Sequence, residues 1–125
     1  MAKQPITSTS APQPSGAYSQ GIAAGGFVFL SGQGPFTPDG DVPEGGFGAQ
    51  ARQTFANLAA VAEAAGGSLA DAVRVGVYLH DMADFPEMNA IYRETFPEPL
   101  PARTTIQTPL PGFLIEVDVV LHLGD

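Results

Sequence analysis

Four consecutive apolar residues, Phe27-Val28-Phe29-Leu30, set between Gly25-Gly26 and Ser31-Gly32, constrain this chain more than any other feature. A strand with one face in water alternates apolar and polar side chains. An unbroken apolar run is the pattern of a strand covered on both faces. The chain has 125 residues, enough for one domain. A domain of that size covers both faces of a sheet only with difficulty. The run therefore predicts that a second copy covers one of them.

Around this strand the hydrophobic periodicity predicts an α+β domain occupying residues 1–125. Residues 1–15, with Pro5, Pro12, Pro14 and a Ser/Thr run, read as an extended lead-in. Tyr18 to Ala23 and Phe27 to Ser31 form a hairpin across Gly25-Gly26. Residues 32–48 are Gly- and Pro-rich loop. Phe55, Leu58, Val61 and Ala65 recur at helical spacing over Ala49 to Ala65, and Gly66-Gly67 supplies the stop. Val73, Val75, Val77 and Leu79 alternate as a strand. Asp84 reads as an N-cap with Glu87 as its capping-box partner, opening a helix to Phe96 that buries Phe85, Met88 and Tyr92. Pro97, Pro99 and Pro101 stiffen the approach to a strand from Arg103 to Thr108. Ile115, Val117, Val119 and Leu121 alternate as the last strand. The expected order is β-β-α-β-α-β-β, with room for one further short strand.

Charge narrows the function. Five cations, Lys3, Arg52, Arg74, Arg93 and Arg103, stand against 13 acids, for a net charge of −8. A nucleic-acid surface needs a basic face that displaces counterions from phosphates, so neither nucleic acid nor an anionic membrane is an expected partner. No apolar run approaches the roughly 20 residues of a bilayer span, and Lys3 is followed by no apolar segment of the secretory type. Cysteine is absent, which removes disulfides and thiolate chemistry and fits a cytoplasmic setting. His80 and His122 lack ligand-like spacing, so no metal is expected. Gly46-Phe47-Gly48-Ala49-Gln50-Ala51 fits a relaxed dinucleotide pattern but follows a loop rather than a strand, and that reading is rejected.

One well-placed arginine suffices for a small anion. Arg103 opens a strand behind a proline-stiffened approach, with no acid beside it in the chain. A guanidinium holds a carboxylate through two parallel hydrogen bonds. Position alone equally allows a solvated arginine at a strand end. Glu116 and Asp118 share the polar face of the last strand, where either a general base or a plain solvent face would sit, and nothing local separates the two. Tyr18 and Ser31 flank the hairpin and are possible ligand donors. Asn89, inside a helix, is mildly unfavourable there.

Together these residues resemble the RidA (YjgF-like) reactive-intermediate deaminases. The matching stretches are Gly16-Ala17-Tyr18-Ser19-Gln20-Gly21, Leu30-Ser31-Gly32-Gln33, Gln50-Ala51-Arg52-Gln53, Asn89-Ala90-Ile91-Tyr92, Pro101-Ala102-Arg103 and Ile115-Glu116-Val117. The resemblance runs from about residue 11 to residue 122. It implies a chorismate-mutase-like fold, a mixed sheet backed by two helices, and a homotrimer whose sheets form a central barrel with clefts between subunits. It also implies hydrolysis of a 2-imino acid or its enamine to a 2-keto acid and ammonia, without a cofactor. Carried over by position, Arg103 grips the substrate carboxylate and Glu116 orients water. Tyr18, Ser31 and Asn89 line the cleft, Gly32 offers backbone contact, and Thr105 is a further substrate-binding position. Thr105 stands where typical members have cysteine, Ala17 where they have proline, and the loop Pro109 to Leu114 is short. A keto-acid-binding regulator on the same trimeric scaffold is the alternative.

Overall fold

The computed structural model describes residues 2–124. Six strands make one sheet: β1 (Gln4–Ile6), β2 (Gly21–Ala24), β3 (Phe27–Gln33), β4 (Ala72–Leu79), β5 (Ala102–Gln107) and β6 (Ile115–His122). Their spatial order is β1-β2-β3-β6-β4-β5. Every neighbouring pair is antiparallel except β4 and β5. The helices α1 (Gly46–Ala64) and α2 (Phe85–Thr95) connect β3 to β4 and β4 to β5. The mixed sheet with two helices agrees with the expected α+β class. The lead-in supplies the additional short strand, β1, paired to β2.

One core lies between the helices and the sheet. Leu58 and Val61 of α1 and Met88 of α2 meet Val75, Val77, Ile115 and Val117, all without exposure. Each such side chain contributes about 1.5–3 kcal/mol by leaving water. In β6 the alternation holds along the whole strand: Ile115, Val117, Val119 and Leu121 are buried, and the residues between them are partly open. α1 ends as expected. Gly66 adopts φ 89°, the Gly66 N–H donates to Glu63 O, and the Gly67 N–H donates to Ala62 O. This pair of bonds is a Schellman closure, which needs the left-handed residue that glycine supplies without strain.

Three expectations are corrected. Val73 is 43% exposed because the β4–β6 register shifts between Ala72 and Arg74, so Ala72 takes the inward place instead. Asp84 makes no side-chain cap. A 3-10 turn, Met82–Asp84, precedes α2, and Asp81 caps it by accepting from the Ala83 N–H at 2.9 Å. Tyr18 lies in the loop before β2 rather than in a strand. Within a single chain β3 has one covered face, with Val28 and Leu30 buried, whereas Phe27 is 40% and Phe29 49% exposed on the face opposite the helices, the face the apolar run leaves to a second copy.

Candidate functional site

Arg103 lies on β5 with α2 packed beside it. Its Nη1 donates to Asn89 Oδ1 at 2.8 Å. The guanidinium carbon sits 4.6 Å from the centre of the Tyr92 ring and 5.4 Å from that of Phe85. Phe85, Asn89 and Tyr92 are spaced i, i+4, i+7, which places them on one face of α2. Helical spacing alone thus assembles a platform of two rings and one amide beneath the cation. No carboxylate joins it: among the described residues the ion pair is Arg52–Glu94, at 3.1 Å. A guanidinium carries five N–H donors in a fixed fork, and the Asn89 bond leaves an edge open for a ligand carboxylate. Arg103 borders a cavity of about 360 Å³ with Asn89, Tyr92, Leu100 and Pro101. The Tyr92 hydroxyl and the Thr105 hydroxyl are buried without a hydrogen-bond partner. Burial raises the Tyr92 pKa, and the Arg103 charge opposes that shift.

Glu116 stands in a second cavity, of about 480 Å³, with Tyr18, Gly32, Phe36 and Phe113. Burial, and then the neighbouring Asp118 charge, push its pKa above the ordinary glutamate value. β3 approaches it so closely that a Cβ on Gly32 would run into its carboxylate, so glycine there makes room for the acid. Asp118 is occupied otherwise, accepting from the Tyr78 hydroxyl at 2.8 Å. The structure therefore separates two acids that the sequence left equivalent: Asp118 is paired, and Glu116 faces a cavity. Tyr18 is 48% exposed, and its hydroxyl accepts from the Ser15 N–H at 3.3 Å. The Ser31 hydroxyl donates to Ser19 O at 2.6 Å. Its one proton is thus committed to the loop, leaving it lone pairs rather than a donor for any ligand.

The two groups point away from each other. Arg103 pairs with Val75, whose side chain is buried against the helices. Glu116 pairs with Tyr78, three residues along β4 from Val75. Since side chains alternate faces along a strand and register partners share a face, Arg103 lies on the helix side and Glu116 on the open side. Their two cavities have no lining residue in common. Sequence reasoning missed Phe85 and Tyr92 as ligands of the cation, counting them as core, although their spacing from Asn89 held the signal. It also missed Phe36 and Phe113, which meet through two loops far apart in sequence.

The description Endoribonuclease L-PSP belongs to a family model that matches residues 8–123. A RutC family protein of Pyrococcus horikoshii is 44% identical over 123 residues, covering 96% of this chain and 98% of that one. A 2-iminobutanoate/2-iminopropanoate deaminase of Dermatophagoides farinae is 39% identical over 105 residues, covering 83% and 82%. Among solved structures, RidA from an Antarctic Psychrobacter superposes with a TM-score of 0.90 at 41% identity, covering 95% and 98%. Yeast Mmf1 superposes with a TM-score of 0.93 at 33% identity, covering 98% and 100%. These likenesses extend over nearly the whole length, and the chain belongs to the Endoribonuclease L-PSP family, the RidA (YjgF-like) family.

Proposed function

We propose that the protein hydrolyses 2-imino acids to 2-keto acids and ammonia, at sites built by neighbouring chains of a homotrimer. The observation that carries this reading is the state of Arg103: held from below by Asn89, Tyr92 and Phe85, with no carboxylate partner. A fork fixed in that way loses little freedom when it grips an anion. The relative from Dermatophagoides farinae bears the name of such a deaminase.

Arg103 and Glu116 face opposite sides of their own sheet, so one substrate meets both only if two chains contribute. The apolar open face, with Phe29 at 49% and Ile106 at 45% exposure, supports association through that face. In the shared cleft Arg103 holds the substrate carboxylate. The imine carbon, already electrophilic once its nitrogen is protonated, takes water. Glu116 accepts a proton from that water as the C–O bond forms. The proton passes to the nitrogen of the carbinolamine, the C–N bond breaks as the hydroxyl returns its proton to Glu116 and becomes the keto oxygen, and ammonia and the keto acid depart. General base catalysis of this kind contributes about 10²–10⁴-fold. Free imines already hydrolyse in water, so a modest factor suffices.

The test generates imino acids in place with an amino acid oxidase and follows semicarbazone formation, the trap competing with the enzyme. Wild type should lower trapped imine and Arg103→Ala should not. Arg103→Lys should lose most of the effect, because an ammonium cannot form the paired hydrogen bonds. Wild type matching the protein-free control, together with keto-acid binding in calorimetry, would replace the deaminase by the regulator. Light scattering should give three times the chain mass, and a monomeric mass would refute the shared cleft.

A further inference from the structure

The Glu116 cavity carries a wall that the chemistry at Glu116 does not require. Phe36 and Phe113 pack edge-to-face, ring centres 5.2 Å apart at 65°. Gly34 makes that packing possible: a Cβ there would lie 2.9 Å from the Phe36 ring and 3.3 Å from the Phe113 ring. Both supporting loops are tied to polar side chains of α1. Asn57, fully buried, donates from Nδ2 to Gly34 O at 3.1 Å and to Phe36 O at 2.8 Å. Gln53 in turn donates to Asn57 Oδ1 at 2.9 Å. Gln50 Oε1 accepts from the Leu114 N–H at 2.9 Å, beside Phe113. The rings are therefore fixed by the fold before any ligand arrives.

Glu116 is the one charged residue lining this cavity, which a single chain leaves open over about 480 Å³. Resting on the deaminase reading, we infer that Phe36 and Phe113 form a side-chain subsite that selects 2-imino acids with bulky apolar substituents, branched or aromatic, over those with a methyl or ethyl group. A rigid apolar wall rewards each methylene it covers, by about 0.8 kcal/mol or some four-fold per CH₂. The polar lining of the cavity, Gln13, Ser15, Tyr18 and Gln33, lies apart from the two rings, so the apolar contact is confined to the wall they form.

The experiment compares imines made from L-alanine, L-leucine and L-phenylalanine by an L-amino acid oxidase, each with the semicarbazide trap. Wild type should favour the leucine- and phenylalanine-derived imines in kcat/KM by on the order of ten-fold or more, given the per-methylene factor. Phe36→Ala and Phe113→Ala should collapse that ratio. Phe36→Leu and Phe113→Leu, which keep apolar bulk, should retain the preference for the leucine-derived imine. A flat preference in wild type, or equal losses on all three substrates in the alanine variants, overturns the inference. Calorimetry with pyruvate, 4-methyl-2-oxopentanoate and phenylpyruvate tests the same wall without turnover. Graded keto-acid affinity without imine hydrolysis would sink the deaminase reading and leave the subsite standing. Hydrolysis without any gradation in rate or affinity would do the reverse.

Discussion

Glu116 and Asp118 are two residues apart on one face of β6, yet their surroundings give them different chemistry. Asp118 has the Tyr78 hydroxyl; Glu116 has burial and the charge of Asp118 beside it, and its pKa rises above the ordinary 4.5. A carboxyl whose pKa is higher folded than unfolded binds its proton more tightly in the folded chain, so its ionised form costs stability. That cost is complete above the raised pKa and vanishes below 4.5. Glu116→Gln should accordingly melt above wild type at neutral pH, the gap closing as pH falls towards 4.5. Thermal scans across that range check it, and a gap independent of pH would rule out the ionisation cost. The same variant should lose about 10²–10⁴-fold in imine hydrolysis. Stability given up at an unpaired acid is what a group placed for chemistry, rather than for packing, would show.

α1 does two jobs. Its apolar stripe, through Phe55, Leu58 and Val61, builds the core. Its polar side chains at Gln50, Gln53 and Asn57 hold the loops on either side of the Glu116 cavity. Asn57→Ala should leave the Gly34 and Phe36 carbonyls without their donor and destabilise the protein by about 1–3 kcal/mol, read from urea unfolding. The stripe was legible, because helical periodicity reports which face is buried. The loop anchors were not: Asn57 reaches residues more than twenty positions away, a distance at which no local pattern reports. The same limit explains β4. Alternation through Val75, Val77 and Leu79 was correct, but extending it to Val73 failed at a register shift that only the pairing with β6 reveals. At Asp84 the capping-box pattern was present and unused, since the preceding 3-10 turn moved the cap to Asp81. Arg103 was singled out by its isolation, whereas alternation placed Glu116 and Asp118 alike and only the family resemblance chose Glu116. Their assignment to a carboxylate grip and a water-orienting acid came from family resemblance, not from spacing.

At the scale of the whole molecule the apolar run in β3 says more than the chain alone can satisfy. Val28 and Leu30 enter the core, while Phe27 and Phe29 remain open beside the Phe27–His122 ring contact, centres 4.9 Å apart. Two large exposed aromatics on one strand give the proposed trimer an apolar surface through which to associate. The reading of β3 as covered on both sides is thus met on one side by the helices. On the other it stays with the proposed trimer.

The opposed directions of Arg103 and Glu116 carry a consequence for mixtures of dead enzymes. An Arg103→Ala chain still brings an intact acid, and a Glu116→Gln chain still brings an intact cation. Refolded together from denaturant in equal amounts, they should regain activity that neither has alone, approaching about a quarter of wild type if each cleft draws one group from each of two randomly assorted neighbours. Mixing the folded proteins without exchange should restore nothing. A double variant bearing both substitutions, co-refolded with wild type, should poison clefts on either side of itself.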